Sequence, residues 1–187
     1  MIRRMLRGFD RWLWRRQGVY EFSDHPDCIF RVQRTNTDRR FPLDGDELAP
    51  GAPVLEIHLC NEKVPALPAT GMSLAWAVEG RKLMLTSLRE LAEYIQKPGM
   101  QDVRGIFGVT VVAGDSLGAK RLFRRLGFDW SPADEQRGRL AAFWLNVHGW
   151  LLMWAYNHVS LSKRRLLRMR RACIWMSREK LVKDYHV

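Results

Sequence analysis

The sequence predicts an α/β protein in which helices flank a mixed central sheet, and two kinds of apolar spacing support this fold class. Apolar and polar side chains alternate strictly over residues 54–61, as in a half-buried strand, and residues 106–112 form a continuous β-rich run suited to a central buried strand. Residues 73–97 and 117–126 instead repeat apolar side chains at helical spacing. Strands that alternate with helices along the chain are typical of an α/β domain.

Further strands are predicted on both sides of this central part. Residues 28–33 follow a turn signal rich in Asp and Pro and have the pattern of a strand. Residues 34–53 are rich in Asp, Gly and Pro, which predicts a loop, or a hairpin around residues 43–46. Near the C-terminus, residues 172–176 are predicted to form a last strand, with Ser177 as the N-cap of a short final helix.

The two predicted central helices end at residues that stop helices. The helix over residues 73–97 ends before Pro98, and Gly80 is a candidate break within it. The helix over residues 117–126 is closed by Gly127, since glycine readily adopts the left-handed conformation that ends many helices.

Length and charge indicate one domain, residues 1–187, with anionic partners. The formal net charge is +11, and such an excess favours either nucleic acid or an acidic membrane surface. The three cysteines form no Cys-x-x-Cys pair, so neither a disulfide framework nor a zinc site is expected, and the reducing cytoplasm is the predicted compartment. Arginine interrupts the apolar residues of the N-terminus at every turn, which is not the pattern of a secretory signal.

Residues 1–18 have the pattern of a basic amphipathic helix. One stripe is apolar and partly aromatic, and the charged residues off that stripe are arginines apart from Asp10; the stripe consists of Met5, Leu6, Phe9, Trp12 and Leu13. This composition is typical of a helix that lies in a membrane interface. A terminal helix docked on the domain by the same stripe is the alternative, and the sequence leaves both open.

An apolar helical insertion is predicted over residues 140–162, which contain no Asp, Glu, Lys or Arg. A membrane span needs about 20 mostly apolar residues, and this segment is interrupted by Asn146 and His148. The segment alone is typical of a buried core helix. Its basic flanks and its tryptophans favour contact with a membrane surface, because basic residues beside an apolar anchor attract anionic head groups.

The basic segment at residues 163–171, KRRLLRMRR, also raises the hypothesis of nucleic-acid binding. No zinc-finger spacing, RNP-like aromatic pattern or helix-turn-helix accompanies it. The position of this segment directly after the apolar insertion therefore favours an anionic membrane surface as the partner, and nucleic acid is not expected.

The order of the predicted elements resembles the conserved half of the GNAT acyltransferase fold. In that family the second helix commonly carries a pattern like N-x-x-A-x-x-L-Y-x-x-L-G-F, and GDSLGAKRLFRRLGF stands in the same place in this chain. The residues that coincide with the tail of the pattern are Leu122, Phe123, Leu126, Gly127 and Phe128. The resemblance covers residues 54–130 and implies a GNAT-like mixed sheet, to which the N-terminal basic helix and the apolar insertion are added.

Along much of its length the chain is also similar to a small bacterial domain called YkoP-like, which is found alone or behind polysaccharide deacetylases. The stretches that carry this similarity are FDRW at 9–12, LEIHLCNE at 55–62, TSLRELAEYI at 86–95, RLGFDW at 125–130 and WMSRE at 175–179. This resemblance implies a cell-envelope context.

The GNAT resemblance implies an acyl-CoA or acyl-carrier donor, with no covalently bound cofactor. The family binds the coenzyme A pyrophosphate at the N-terminus of the first conserved helix, where backbone N–H groups and the helix dipole attract an anion. The corresponding candidates here are Gly71, Met72, Ser73 and Ser116. Two features depart from the family: the loop VPALPATGMS has two prolines and a single glycine, and the tyrosine that often acts as general acid is replaced by Phe123, which cannot donate a proton.

The same resemblance places Glu56, His58 and Glu62 on or just after the strand that lines the acyl site. One of them would deprotonate the acceptor, provided that its pKa and its reach are suitable. The alternative is that Glu56 and His58 face solvent or pair with arginines across the sheet. His58 and Cys60 have a spacing that can chelate a metal, but no further ligands accompany them, so no metal site is predicted.

Three functional hypotheses follow. The first is a membrane-peripheral, acyltransferase-like protein at the cytoplasmic face of the cell membrane, acting on a lipid-linked or cell-envelope precursor. The second is a catalytically silent GNAT-like binding or accessory module for enzymes of envelope polysaccharide or lipid. The third is nucleic-acid binding.

Overall fold

The computed structural model describes residue 8 and residues 12–43, 46–68, 73–110, 117–133 and 171–186. The predicted apolar insertion at 140–162 lies outside the described residues, as does nearly all of the basic segment at 163–171. Of the predicted N-terminal helix, the described part includes residues 12–17, which are helical.

The described chain alternates strands and helices in the predicted manner. Its strands are β1 (Phe30–Asn36), β2 (Phe41–Leu43), β3 (Asp46–Leu48), β4 (Pro53–Leu59), β5 (Gly105–Thr110), β6 (Asp129–Pro132) and β7 (Ala172–Ser177). After the helical residues 12–17, its helices are α1 (Leu74–Tyr94), which connects β4 to β5, α2 (Leu117–Arg125), which precedes β6, and α3 (Arg178–Tyr185), which follows β7.

A five-stranded mixed sheet in the order β1-β4-β5-β7-β6 forms the centre of the fold. The central neighbours β4 and β5 run parallel, and every other neighbouring pair in this sheet is antiparallel. The parallel pair requires a crossover, and α1 provides it. Strands β2 and β3 form a separate antiparallel hairpin.

One face of the sheet, here called the helix face, packs against α1, α2 and α3. Side chains from the three central strands and from all three helices share one buried apolar cluster, which includes Leu55, Ile106, Met176, Leu88, Leu91, Phe123 and Leu181. The apolar residues in the second half of α1 thus face the sheet, whereas Leu74 and Val78 in its first turns are exposed. Burial of this cluster is the main source of apolar stabilisation for the domain.

The opposite face, here called the hairpin face, is covered in part by β2 and β3. Phe41 of β2 stacks on Trp175 of β7 with the ring centroids 5.1 Å apart, and the Trp175 indole N–H donates to the carbonyl of Pro42 at 3.0 Å. Leu48, Val54 and Cys173 complete this second buried cluster. The predicted hairpin is therefore confirmed, and it packs over part of one face of the sheet.

Helix α1 is held at both ends and continues through Gly80 without a break. The Ser73 hydroxyl caps its N-terminus by accepting the backbone N–H of Trp76 at 3.2 Å. In its second half, the buried Ser87 hydroxyl donates to the Leu83 carbonyl at 2.8 Å and accepts the backbone N–H of Ile29 at 2.8 Å. This side chain links the helix to the segment before β1.

The end of α2 confirms the predicted role of Gly127. This glycine has a φ of +77°, and the backbone N–H of Phe128 reaches the carbonyl of Phe123 at 2.9 Å, which is the bond of a Schellman motif. Phe128 is consequently turned into the core. The short strand β6 that follows was not predicted from the sequence.

The parallel pair β4/β5 is paired only at its start. Val54, Leu55 and Glu56 pair with Gly105, Ile106 and Phe107, and the ladder does not continue beyond these positions. At the next position, a Cβ atom added to Gly108 would lie 2.8 Å from Cγ1 of Ile57 and 3.5 Å from its Cδ1. The Ile57 side chain therefore occupies the space over Gly108 on the helix face.

Within the described ranges, the structure has no helix with both the length and the apolar character needed to span a bilayer.

Candidate functional site

The residues predicted as catalytic lie on or near the hairpin face of β4, beside β1. His58 stands directly opposite Arg31 in the antiparallel register, and Glu56 stands opposite Gln33. Glu62 follows β4 in a turn and approaches the same arginine. The structure therefore brings His58 and Glu62 together around Arg31, a residue that the sequence analysis did not single out.

Arg31 is the centre of a nearly buried ion-pair network. Its residue is only 8% exposed, its Nη2 lies 2.6 Å from Oε1 of Glu21 and 3.5 Å from Oε2 of Glu62, and its guanidinium carbon lies 4.0 Å from the centroid of the Trp14 ring. Lys63 also contacts Glu21, at 3.6 Å. Two cations thus face two carboxylates, and the Trp14 ring shields the guanidinium from water.

The pKa directions agree with a balanced network. Burial of Arg31 disfavours its charge, but the hydrogen bond to Glu21 favours it, and the pKa of Arg31 is raised overall. The hydrogen bond from Arg31 in turn holds the pKa of the Glu21 carboxyl below its ordinary value, despite partial desolvation. Both groups therefore stay charged at neutral pH and tie the segment before β1 to the strand itself.

His58 is poorly suited to the role of general base. Burial lowers the pKa of its imidazole from 6.5 to about 4, and its Nε2 is buried with no hydrogen-bond partner in the described part of the chain. An efficient base has a pKa near the working pH, and the pKa of His58 lies well below it. Nη1 of the opposing Arg31 also lacks a partner among the described residues.

Of the other predicted site residues, Glu56 and Ser73 lie in the described part of the chain. Glu56 is half-buried and lies two residues from His58 on the hairpin face. Ser73 is placed, but its hydroxyl already caps α1. Gly71, Met72 and Ser116 lie outside the described residues.

Phe123, which stands where the GNAT pattern has a tyrosine, is a core residue. It is 9% exposed, and its ring meets that of Phe128 edge to face with the centroids 6.0 Å apart. A side chain in this environment packs the base of α2 against the sheet. Among the described residues, no group of three His, Cys, Asp or Glu side chains is arranged to hold a metal ion.

Fold and site together define an α/β domain with a mixed five-stranded sheet and a charge-balanced polar network on one face. The family model described as YkoP domain matches residues 2–185, so the chain belongs to the YkoP domain family. Comparison with curated proteins and with solved structures gives no match.

The Arg31 network predicts a stability difference between two arginines that each make one close ion pair. Arg31→Met should lower the free energy of unfolding by about 1–3 kcal/mol, because it leaves Glu21 and Glu62 without their buried cation. Arg34→Met is the matched control, since Arg34 also contacts a carboxylate at 2.6 Å but is 42% exposed in its side chain. The control should lose less than about 1 kcal/mol. Urea denaturation measures both, and equal losses would contradict the structural role of Arg31.

The buried imidazole of His58 predicts a pH dependence of stability. Its pKa of about 4 in the folded state lies below the ordinary 6.5, so the unfolded state binds more protons between these values. The stability contribution is complete above pH 6.5 and is lost as the pH falls toward 4, by up to about 3 kcal/mol. His58→Gln should flatten the stability profile in this window, whereas replacing the exposed His25 with Gln should leave the profile steep. Parallel profiles for the wild type and His58→Gln would refute the assignment.

Proposed function

We propose that this YkoP-family protein is a binding or accessory module with a GNAT-like core, which acts at the cytoplasmic face of the cell membrane for enzymes of envelope polysaccharide or lipid. The observation that carries the proposal is the position of Ile57 over Gly108. In an acyltransferase of the GNAT type, an open space between these two strands would admit the pantetheine arm of the donor.

The order of elements supports the GNAT-like core. A strand, a crossover helix and a parallel strand are followed by a short helix and a late strand, and the pairing of the parallel strands stops after Glu56 and Phe107. This early end of the ladder is the place where a donor would enter. In this chain the place is occupied by a side chain of the protein itself.

Three further features favour a module without acyl transfer. Phe123 is a buried core residue in the position of the expected proton donor. His58 is half-buried and its lowered pKa keeps it neutral at neutral pH, and the Glu62 carboxylate is engaged by Arg31.

The distribution of charge supports a membrane partner. Helix α2 carries four basic residues and no acidic one, and Leu117 at its start is 71% exposed; the basic residues are Lys120, Arg121, Arg124 and Arg125. Each basic residue near an anionic bilayer contributes about 1 kcal/mol of attraction. With a net charge of +11 over the chain, an anionic lipid surface is the partner that this composition fits.

A membrane-peripheral acyltransferase that acts on a lipid-linked or envelope precursor is the second candidate. The ends of β4 and β5, which do not pair with each other, favour this candidate, because a shift of the Ile57 side chain would uncover the space between them. The donor would then bind near Gly71–Ser73, and Glu56, His58 or Glu62 would serve as base.

Thermal unfolding with short acyl-CoA esters separates the two candidates. A binding module without a donor site should show no larger rise in Tm with acetyl-CoA, butyryl-CoA or an acyl-carrier protein than with pyrophosphate alone. A donor that binds the folded state raises Tm with its concentration. A saturable rise that exceeds the pyrophosphate control and is weakened in Gly71→Trp would show a donor site, which favours the acyltransferase candidate and refutes the proposal.

Vesicle sedimentation tests the membrane part of the proposal. The protein should sediment with vesicles of phosphatidylcholine and phosphatidylglycerol, lose this association as salt is added, and remain in the supernatant with pure phosphatidylcholine, because the attraction is electrostatic. Absence of sedimentation, together with salt-sensitive binding to duplex or single-stranded DNA, would favour nucleic-acid binding instead.

A further inference from the structure

The edge of the sheet at β6 contains a groove that the polar network does not involve. It lies between β2, β6 and α2 and has a volume of about 540 Å³, which is in the usual range for small-molecule sites. Its lining consists of Arg40, Pro42, Arg124, Asp129, Trp130, Ser131 and Trp175.

We infer that this groove binds a ligand that carries a phosphate group, with Arg124 as its principal cation. The inference rests on the binding role proposed above and gives that role a ligand class and a location. The phosphate could belong to a lipid head group or to a soluble phosphorylated compound, since the chemistry of recognition is the same.

The first argument is that the groove offers donors without acceptors. The Arg124 guanidinium and the Ser131 hydroxyl have no hydrogen-bond or ion-pair partner among the described residues. The indole Nε1 of Trp130 is buried and likewise has no partner in this part of the chain. Buried polar groups such as the Trp130 indole N–H are usually satisfied, and Arg124 and Ser131 add donors that face water in the free protein, so a ligand for this place should bring acceptor oxygens.

The second argument is the balance of charge around the groove. The acidic residue of the lining, Asp129, lies 4.0 Å from Lys180, and Arg40 of the hairpin is paired with Glu47 at 2.9 Å. Arg124 and Lys120 keep their positive charges without an acidic partner among the described residues, and the Lys120 ammonium lies 3.8 Å from the centroid of the Trp130 ring. These two cations from one helix leave the mouth of the groove positive.

The third argument concerns geometry. A guanidinium offers a planar fork of N–H donors that matches two oxygens of a phosphate, which a surface lysine cannot do. Arg124 is exposed on α2 and lines the groove, whereas the neighbouring Arg125 is also exposed but does not line it. Adjacent residues on one helix therefore provide a variant and its control with the same change of charge.

The experiment compares the wild type with Arg124→Gln, Arg125→Gln and Ser131→Ala on two kinds of probe. Soluble pyrophosphate and glucose 1-phosphate are titrated by calorimetry, and vesicles of phosphatidylcholine with phosphatidylglycerol are titrated by sedimentation. Arg124→Gln should weaken binding about tenfold or more, because it removes a charge-assisted pair of hydrogen bonds. Arg125→Gln should weaken binding less than about twofold, as expected for a screened surface charge. Ser131→Ala should fall between them.

The probe that responds identifies the source of the phosphate. Binding of vesicles but not of the soluble compounds assigns the groove to a lipid head group, and the reverse assigns it to a soluble phosphorylated ligand. Equal weakening by Arg124→Gln and Arg125→Gln would contradict a phosphate site in the groove, but it would not contradict association with a membrane. If the wild-type protein binds none of the probes, the proposed phosphate site in the groove is wrong. The proposed function as a binding module is tested separately by the acyl-CoA measurement.

Discussion

The close contact between Ile57 of β4 and Gly108 of β5 is the constraint on which the proposed function depends. The two strands are the parallel centre of the sheet, and their ladder ends after Glu56 and Phe107. Beyond that point a Cβ atom at position 108 would lie 2.8 Å from Cγ1 of Ile57, so Gly108 leaves room for the Ile57 side chain over β5. In the proposed function, this contact closes the space that an acyl donor would use in an enzyme of the GNAT type.

The distribution of charge follows from how the fold uses its few acidic residues. Glu21 and Glu62 neutralise the buried Arg31, Asp102 pairs with Arg34, and Asp27 pairs with Lys82. These acids hold loops and strands together, and they are not available to neutralise α2. The outward face of α2 therefore stays basic, with Lys120, Arg121, Arg124 and Arg125 on one short helix. The anionic partner proposed for this protein would complement that surface.

The sequence predicted the elements whose apolar spacing is regular. Helix α1, strand β4, the hairpin and the Gly127 stop all follow local rules, and the structure confirms them. Gly80 did not break α1, since its cost of about 1 kcal/mol is small beside the burial of the helix residues that follow it. Strand β6 was missed because its four residues, DWSP, are too few to show alternation and end in proline.

The site was harder to predict because its central residue looks ordinary in sequence. Arg31 lies in a strand at a position that alternation assigns to solvent, and its partners Glu21 and Glu62 are distant along the chain. The groove at β6 was equally hard to predict, because Arg40 and Arg124 line the same groove only as a result of the strand order. Glu62 contacts Arg31, a pairing that the sequence analysis did not consider. What a single sequence lacks in each case is the register between distant strands.

The closure of the β4/β5 gap is tested most directly by following the backbone amide of Gly108 and the methyl groups of Ile57 by NMR during titration with butyryl-CoA. If Ile57 closes the gap, neither signal moves, even at donor concentrations that perturb the basic residues of α2 by nonspecific attraction. Saturable shifts at both Gly108 and Ile57 would mean that the donor enters between the strands, and they would contradict the assignment of this protein as a binding module.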